Sequence, residues 1–147
     1  MTGWQPVAAS LPYILAGLGL LITLGYRLEV MQFGDEQAEQ LGIPVTRIRW
    51  LVVAGATLAT AGAVAFSGII GFIGLIIPHV FRLVGVTGYR RLLPASMLGG
   101  AILLVLADVV ARVILAPQQL PVGIVTAMLG APFFLWVLKR ARSGAFW

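Results

Sequence analysis

The chain has 147 residues, of which 60% are hydrophobic and 10% charged, with a mean hydropathy of +1.01. Soluble domains carry about 25% charged residues, so this composition excludes an ordinary water-soluble domain and defines an integral membrane protein. The formal charge of +5 does not point to nucleic acid, because the ten basic residues sit almost entirely between apolar runs, where membrane topology accounts for them. Cysteine is absent, which removes disulfides, Cys-based metal sites and thiol catalysis.

Spanning a bilayer takes about 20 apolar residues. The N-terminal MTGWQPVAASLPY lacks the basic n-region of a signal peptide. Residues 11–26 form the first expected span, somewhat short unless residues 7–9 join it. Residues 27–49 follow as the single long polar connection. Within them, residues 34–42 read as one short helix: Gly34 precedes it, Asp35 and Glu36 suit the positive end of the helix dipole, and Gly42 followed by Pro44 ends it. Ala38, Leu41 and Ile43 could share a small apolar face. The connection is longer than a simple turn needs. Spacing alone leaves a solvated connector and a docking helix for a cytoplasmic partner equally open.

Residues 50–66 are the second span, with Gly55, Ala59 and Ala63 four apart on one face and Gly62 beside them. Small residues at that spacing let helix backbones approach closely, the main means of association where lipid offers no hydrophobic gain. After a tight turn near Ser67 and Gly68 comes the third span, residues 69–84, expected to be interrupted. Pro78 removes a backbone donor and kinks or starts a helix there. His79 and Arg82 then lie near its cytoplasmic end, capping freed carbonyls or facing headgroups. A lone histidine is not a metal site, since ligation normally takes three or four ligands. Residues 85–94 carry Arg90 and Arg91 in a short basic loop, and Pro94 restarts an apolar helix.

Residues 95–115 are the fourth span, with Gly99 and Gly100, and residues 122–138 the fifth, with Gly123, Ala127 and Ala131 at intervals of four. Residues 116–121 connect them. Asp108 is the sharpest isolated residue, because a carboxylate inside a span is expensive. It stands four residues before Arg112, a spacing that allows an ion pair along one helix face. A proton relay is the lesser reading, since the chain holds no second intramembrane acid.

Five spans put the termini on opposite sides. Arg27, Arg47, Arg49, Arg82, Arg90, Arg91, Lys139, Arg140 and Arg142 then fall on one side and Arg112 alone on the other. That bias predicts a cytoplasmic C-terminus and an N-terminus outside. A chain that starts outside without a targeting signal is expected to be the latter part of something longer. No enzyme emerges. There is no phosphate loop with which to hydrolyse ATP, and Ser67, Ser96, His79 and Asp108 lie on different spans, so no catalytic residue is assigned.

LGIP after an acidic short helix, then SGIIGFIGLIIPHVFRL, YRRLLPAS, LADVVAR and QQLPVGIVTAMLGAPFFLWVLKR together resemble the carboxyl-terminal half of the FecCD family. Members are permease subunits of ABC importers for iron-siderophores, haem and vitamin B12. The resemblance runs from residue 11 to residue 142, although the chain is less than half a typical member. It implies an all-α polytopic helix bundle in the bacterial cytoplasmic membrane, without a cofactor or metal. It also implies three kinds of protein partner: a second permease copy, a separate ATPase and an extracytoplasmic substrate-binding protein. The segment 31–44 then matches the family's coupling helices, with Asp35, Glu36, Ala38, Leu41 and Gly42 as contacts to the ATPase. Arg112 matches an arginine that pairs with a glutamate of the binding protein. Asp108, Pro78 and His79 are left with structural roles inside the membrane.

Overall fold

The computed structural model describes residues 3–114 and 120–142. Among these residues the secondary structure is helical throughout. The helices are α1 (Gln5–Met31), α2 (Asp35–Gln40), α3 (Val45–Ser67), α4 (Ile73–Leu83), α5 (Tyr89–Ile114) and α6 (Val122–Arg142). Four of them, α1, α3, α5 and α6, have 21 to 27 residues and are apolar enough to cross a membrane. At 1.5 Å per residue they reach about 30–40 Å, against a hydrocarbon core of about 30 Å. Inside lipid every backbone donor and acceptor must find an internal partner, so a chain of this composition has helix as its available solution.

The helices overrun the apolar runs that announce them. The first begins at Gln5 and ends at Met31, the second long one begins at Val45, and the last continues to Arg142. Helical hydrogen bonding continues past the edge of the apolar run and stops where the backbone can no longer follow. The junction between the fourth and fifth expected spans, residues 115–119, lies outside the described residues.

The chain divides into two compact units, one made of residues 1–68 and 86–94, the other of residues 69–85 and 95–147. In the first unit, α1 and α3 form an antiparallel hairpin: Tyr13 and Ile14 meet Gly62, Gly17 meets Ala59 and Gly55, and Leu20 and Leu21 meet Gly55. The contact is backbone on backbone. A Cβ at Gly17 would come within 2.6 Å of the Gly55 carbonyl oxygen and 2.8 Å of the Ala59 Cβ. Leu24, Ala38, Val45, Ile48 and Leu92 are the buried hydrophobic residues of this unit. The start of α5 lies against Gly25 of α1, through Leu93 and the backbone of Tyr89 and Arg90. Gly88, whose carbonyl accepts the N–H groups of Arg91 and Leu92, leaves room for the Glu29 carboxylate. That places an acid at the positive end of α5.

In the second unit the interruption is not where proline predicts it. Pro78 lies inside α4, which is a continuous helix of 11 residues. The irregular backbone is upstream. Gly68 has φ 79° and Phe72 φ 64°, both left-handed, and helix resumes only at Ile73. A phenylalanine in this region costs about 1–2 kcal/mol, so something must hold it. Gly130 of α6 does so: its missing side chain is the notch that receives Phe72, whose ring also lies 6.5 Å from that of Phe134. Gly123, one helical stretch earlier, admits the Ile69 carbonyl oxygen in the same way. The helix α4 packs along α5, with Ile77 and Phe81 against Gly99 and Ile73 facing Gly100. Ala107, Ala111 and Val125, joined by Leu120 and Val122, form the small buried cluster of α5 with α6.

Candidate functional site

The acidic segment between α1 and α3 folds much as its residues dictate. Gly34, at φ 121°, turns the chain into α2, and its carbonyl accepts the first helical N–H, from Ala38 at 3.1 Å. At the other end Gly42 is left-handed (φ 78°). Its N–H donates to the Glu39 carbonyl at 2.9 Å, and the N–H of Ile43 donates to the Ala38 carbonyl at 3.0 Å. These two bonds are the paired closure of a Schellman motif. They give a six-residue helix, too short to be stable alone, two defined ends.

Two further interactions hold α2 in place. Ala38 is fully buried in the first unit, where α2 packs on both α1 and α3. Arg49, in the second turn of α3, donates from Nη2 to Asp35 Oδ2 at 2.8 Å. This ion pair is missing from the sequence reading, because fourteen residues separate its members and no local periodicity joins them. Burial of Ala38 corrects one expectation. It has no surface to offer a partner, so it is the foundation of α2 and not a contact. Nor do Ala38, Leu41 and Ile43 form one face: Leu41, at the C-cap, is 71% exposed. What α2 presents outward is Glu36, Glu39 and Leu41, with the exposed Phe33 just before it.

In the second unit, Arg112 Nε donates to Asp108 Oδ2 at 2.8 Å within α5, the geometry expected of an i, i+4 pair. Arg112 keeps 62% of its side chain exposed, and its Nη groups are not engaged in that bond. His79 is half-buried, its ring set edge-on to Phe133 of α6 at 5.7 Å, and it belongs to the α4–α6 packing. Pro78 lies in the body of α4 and, by lacking an N–H, leaves the carbonyl of Gly74 without its helical donor. Among the described residues no three His, Cys, Asp or Glu side chains gather.

Long apolar helices packed through glycine, with a short acidic helix tied to them, define a polytopic helical membrane protein. The chain belongs to the FecCD transport family, which it matches over residues 1–140. It is 46% identical over 144 residues to an uncharacterized ABC transporter permease, YvrB, of Bacillus subtilis, covering 98% of this chain and 41% of that protein. It is 46% identical to the cobalamin import permease BtuC of Halobacterium salinarum, with 92% of this chain and 36% of that protein covered. It is 43% identical to the hemin transport permease HmuU of Yersinia pestis, with 93% and 40% covered. Among solved structures, an ABC transporter assigned to the metal-chelate type, in an inward-facing conformation, superimposes with a TM-score of 0.86 at 34% identity. That match covers 95% of this chain and 45% of the other. The chain thus spans about two fifths of the length of the curated relatives it matches.

Proposed function

We propose that the chain is the membrane-spanning part of an ABC importer for chelated-metal substrates of the iron-siderophore, haem or cobalamin kind, working in the bacterial cytoplasmic membrane. A separate ATPase docks on α2 through Glu36, Leu41 and the Gly42 turn, with Asp35 beside them. An extracytoplasmic binding protein docks at Arg112, a second permease copy completes the pore, and ATP is hydrolysed in the ATPase alone. The observation that carries this reading is the construction of α2. It is a short helix closed at both ends, anchored by a buried alanine and an ion pair, yet presenting acids and a 71% exposed leucine to solvent. A mere connector needs no such anchoring, whereas a lever between two proteins must move with the helices behind it.

The proposed topology keeps five crossings with the C-terminus inside. At 11 residues, α4 is about 16 Å long and cannot cross alone, so the irregular residues 69–72 before it must complete the crossing. The native chain has no cysteine, so single substitutions report topology directly. Gln37→Cys should react with a membrane-impermeant maleimide only from the cytoplasmic side, and Val113→Cys only from outside. Docking is tested by co-purification with a candidate ABC ATPase of the same organism. Glu36→Arg and Leu41→Asp should each abolish capture while the chain stays folded. Undiminished capture by both would remove α2 from the interface.

A further inference from the structure

The end of α6 sets the cations that mark its proposed cytoplasmic side around an aromatic ring. Trp136, Lys139 and Arg140, spaced i, i+3 and i+4, share one helix face. Together with Arg142 they line an open groove of about 570 Å³. Among the described residues that line it there is no carboxylate. The Arg140 guanidinium lies over the Trp136 ring at 5.2 Å, and that ring lies 6.0 Å from Phe133. The indole therefore fixes one of the three cations from beneath. Basic residues in a last turn complement the helix dipole, but the C-terminal end carries only about half a negative charge. The described lining residues, three cations and an indole, carry more positive charge than that need requires.

We propose that this groove binds the phosphate headgroup of an anionic phospholipid. The position selects lipid over a soluble anion. The groove lies where 17 apolar-rich residues of α6, 122–138, give way to charge, and it combines an aromatic ring with cations, as residues at the headgroup level of a bilayer do. Lys139 and Arg142 supply mobile ammonium and guanidinium donors, Arg140 a guanidinium held on the indole, and Trp136 an apolar wall for the glycerol region of the lipid.

Native mass spectrometry of the full chain released from nanodiscs tests this, with phosphatidylglycerol and phosphatidylcholine of matched acyl chains as probes. The wild type should retain phosphatidylglycerol in preference. The triple variant Lys139→Gln, Arg140→Gln, Arg142→Gln should lose on the order of a hundredfold of that preference, about fivefold per cation. Neutralising the last turn can also disturb insertion, so Trp136→Leu, which leaves every charge in place, is the second variant and should weaken retention several-fold. Equal retention by wild type and both variants overturns the proposal. So does displacement of the lipid by millimolar inorganic phosphate, which would make the ligand a free anion. If the triple variant keeps phosphatidylglycerol but no longer captures the ATPase, the face belongs to that protein and the lipid site is refuted.

Discussion

The two units use glycine for different purposes, and the contrast explains where this chain is regular and where it is broken. In the first, Gly17, Gly55 and Gly62 let two continuous helices touch backbone to backbone. In the second, Gly123 and Gly130 of α6 make room for what is not helix, the Ile69 carbonyl and the left-handed Phe72. Gly55, Gly62 and Gly123 belong to or stand beside the small-residue stripes legible in the sequence, whereas Gly17 and Gly130 do not. One set permits association; the other stores an irregular segment, which membrane depth tolerates only where protein or a water-filled cavity lies against it.

The largest effect should come from the hairpin, because the obstacle there is main chain. Gly17→Ala drives a methyl against the Gly55 carbonyl and the Ala59 backbone, and should lower stability by about 3 kcal/mol, the upper part of the overpacking range. No side-chain truncation on α3 should rescue it. Gly19, two residues away, has open space where its Cβ would be; Gly19→Ala should stabilise by about 0.5–1 kcal/mol through helix propensity. Thermal unfolding in one detergent measures both. Changes of the same sign would mean that α1 and α3 are not packed as described.

Gly130→Ala should cost about 2 kcal/mol, and here rescue is expected, since the obstacle is the Phe72 side chain. Phe72→Gly removes the Cβ that the added methyl would strike and relieves the left-handed strain, at the loss of the ring contact with Phe134. The double variant should therefore be less destabilised than the sum of the single ones. Strict additivity in that double-mutant cycle would show that Phe72 and Gly130 do not meet. Gly100→Ala, with only Ile73 at 3.8 Å, serves as the mild comparison.

The same contrast separates what was legible in the sequence from what was not. A helical membrane protein follows from composition, because lipid leaves a polar backbone few alternatives. The ends of α2 follow from Gly34, Gly42 and Pro44, whose conformational effects are local. The break did not follow. Pro78 is a strong local signal but sits inside α4, whereas Phe72 becomes left-handed only because a notch in α6, far along the chain, receives it. Ala38 and Leu41 looked like one apolar face, yet Leu41 is already the C-cap residue, outside the helical period. Asp108 and Arg112 could be paired from spacing because one helix carries both; Asp35 and Arg49 could not, because a turn intervenes.

Among the described residues each unit shows an exposed ion pair of 2.8 Å, and the two should respond differently to charge reversal. Arg112→Glu sets two carboxylates on one face of α5. If the binding protein docks there, association should weaken about tenfold, equivalent to about 1.4 kcal/mol. Its dependence on salt should flatten as well. Asp108→Asn, which frees Arg112 without removing its charge, should change affinity much less. Surface plasmon resonance against the binding protein, with the permease in nanodiscs, distinguishes these. An affinity for Arg112→Glu equal to that of the wild type removes Arg112 from the interface.

The smallest expected effect is on the pair that ties α2 to α3. Asp35 and Arg49 are 53% and 62% exposed, so solvent screening limits their contribution to about 0.5 kcal/mol or less, and Asp35→Asn should barely move the unfolding midpoint. Burial of Ala38 holds α2 in place; the ion pair sets its angle. Exchanging the charges, Asp35→Arg with Arg49→Asp, restores attraction but puts a cation at the positive end of α2, so α2 should return only partly to its native orientation. A spin-label distance between Gln37→Cys and Thr57→Cys would then be broader in Asp35→Asn and only partly narrowed in the exchange variant. An unchanged distribution in all three would show that burial alone orients the helix, and the first unit would have no need of its ion pair.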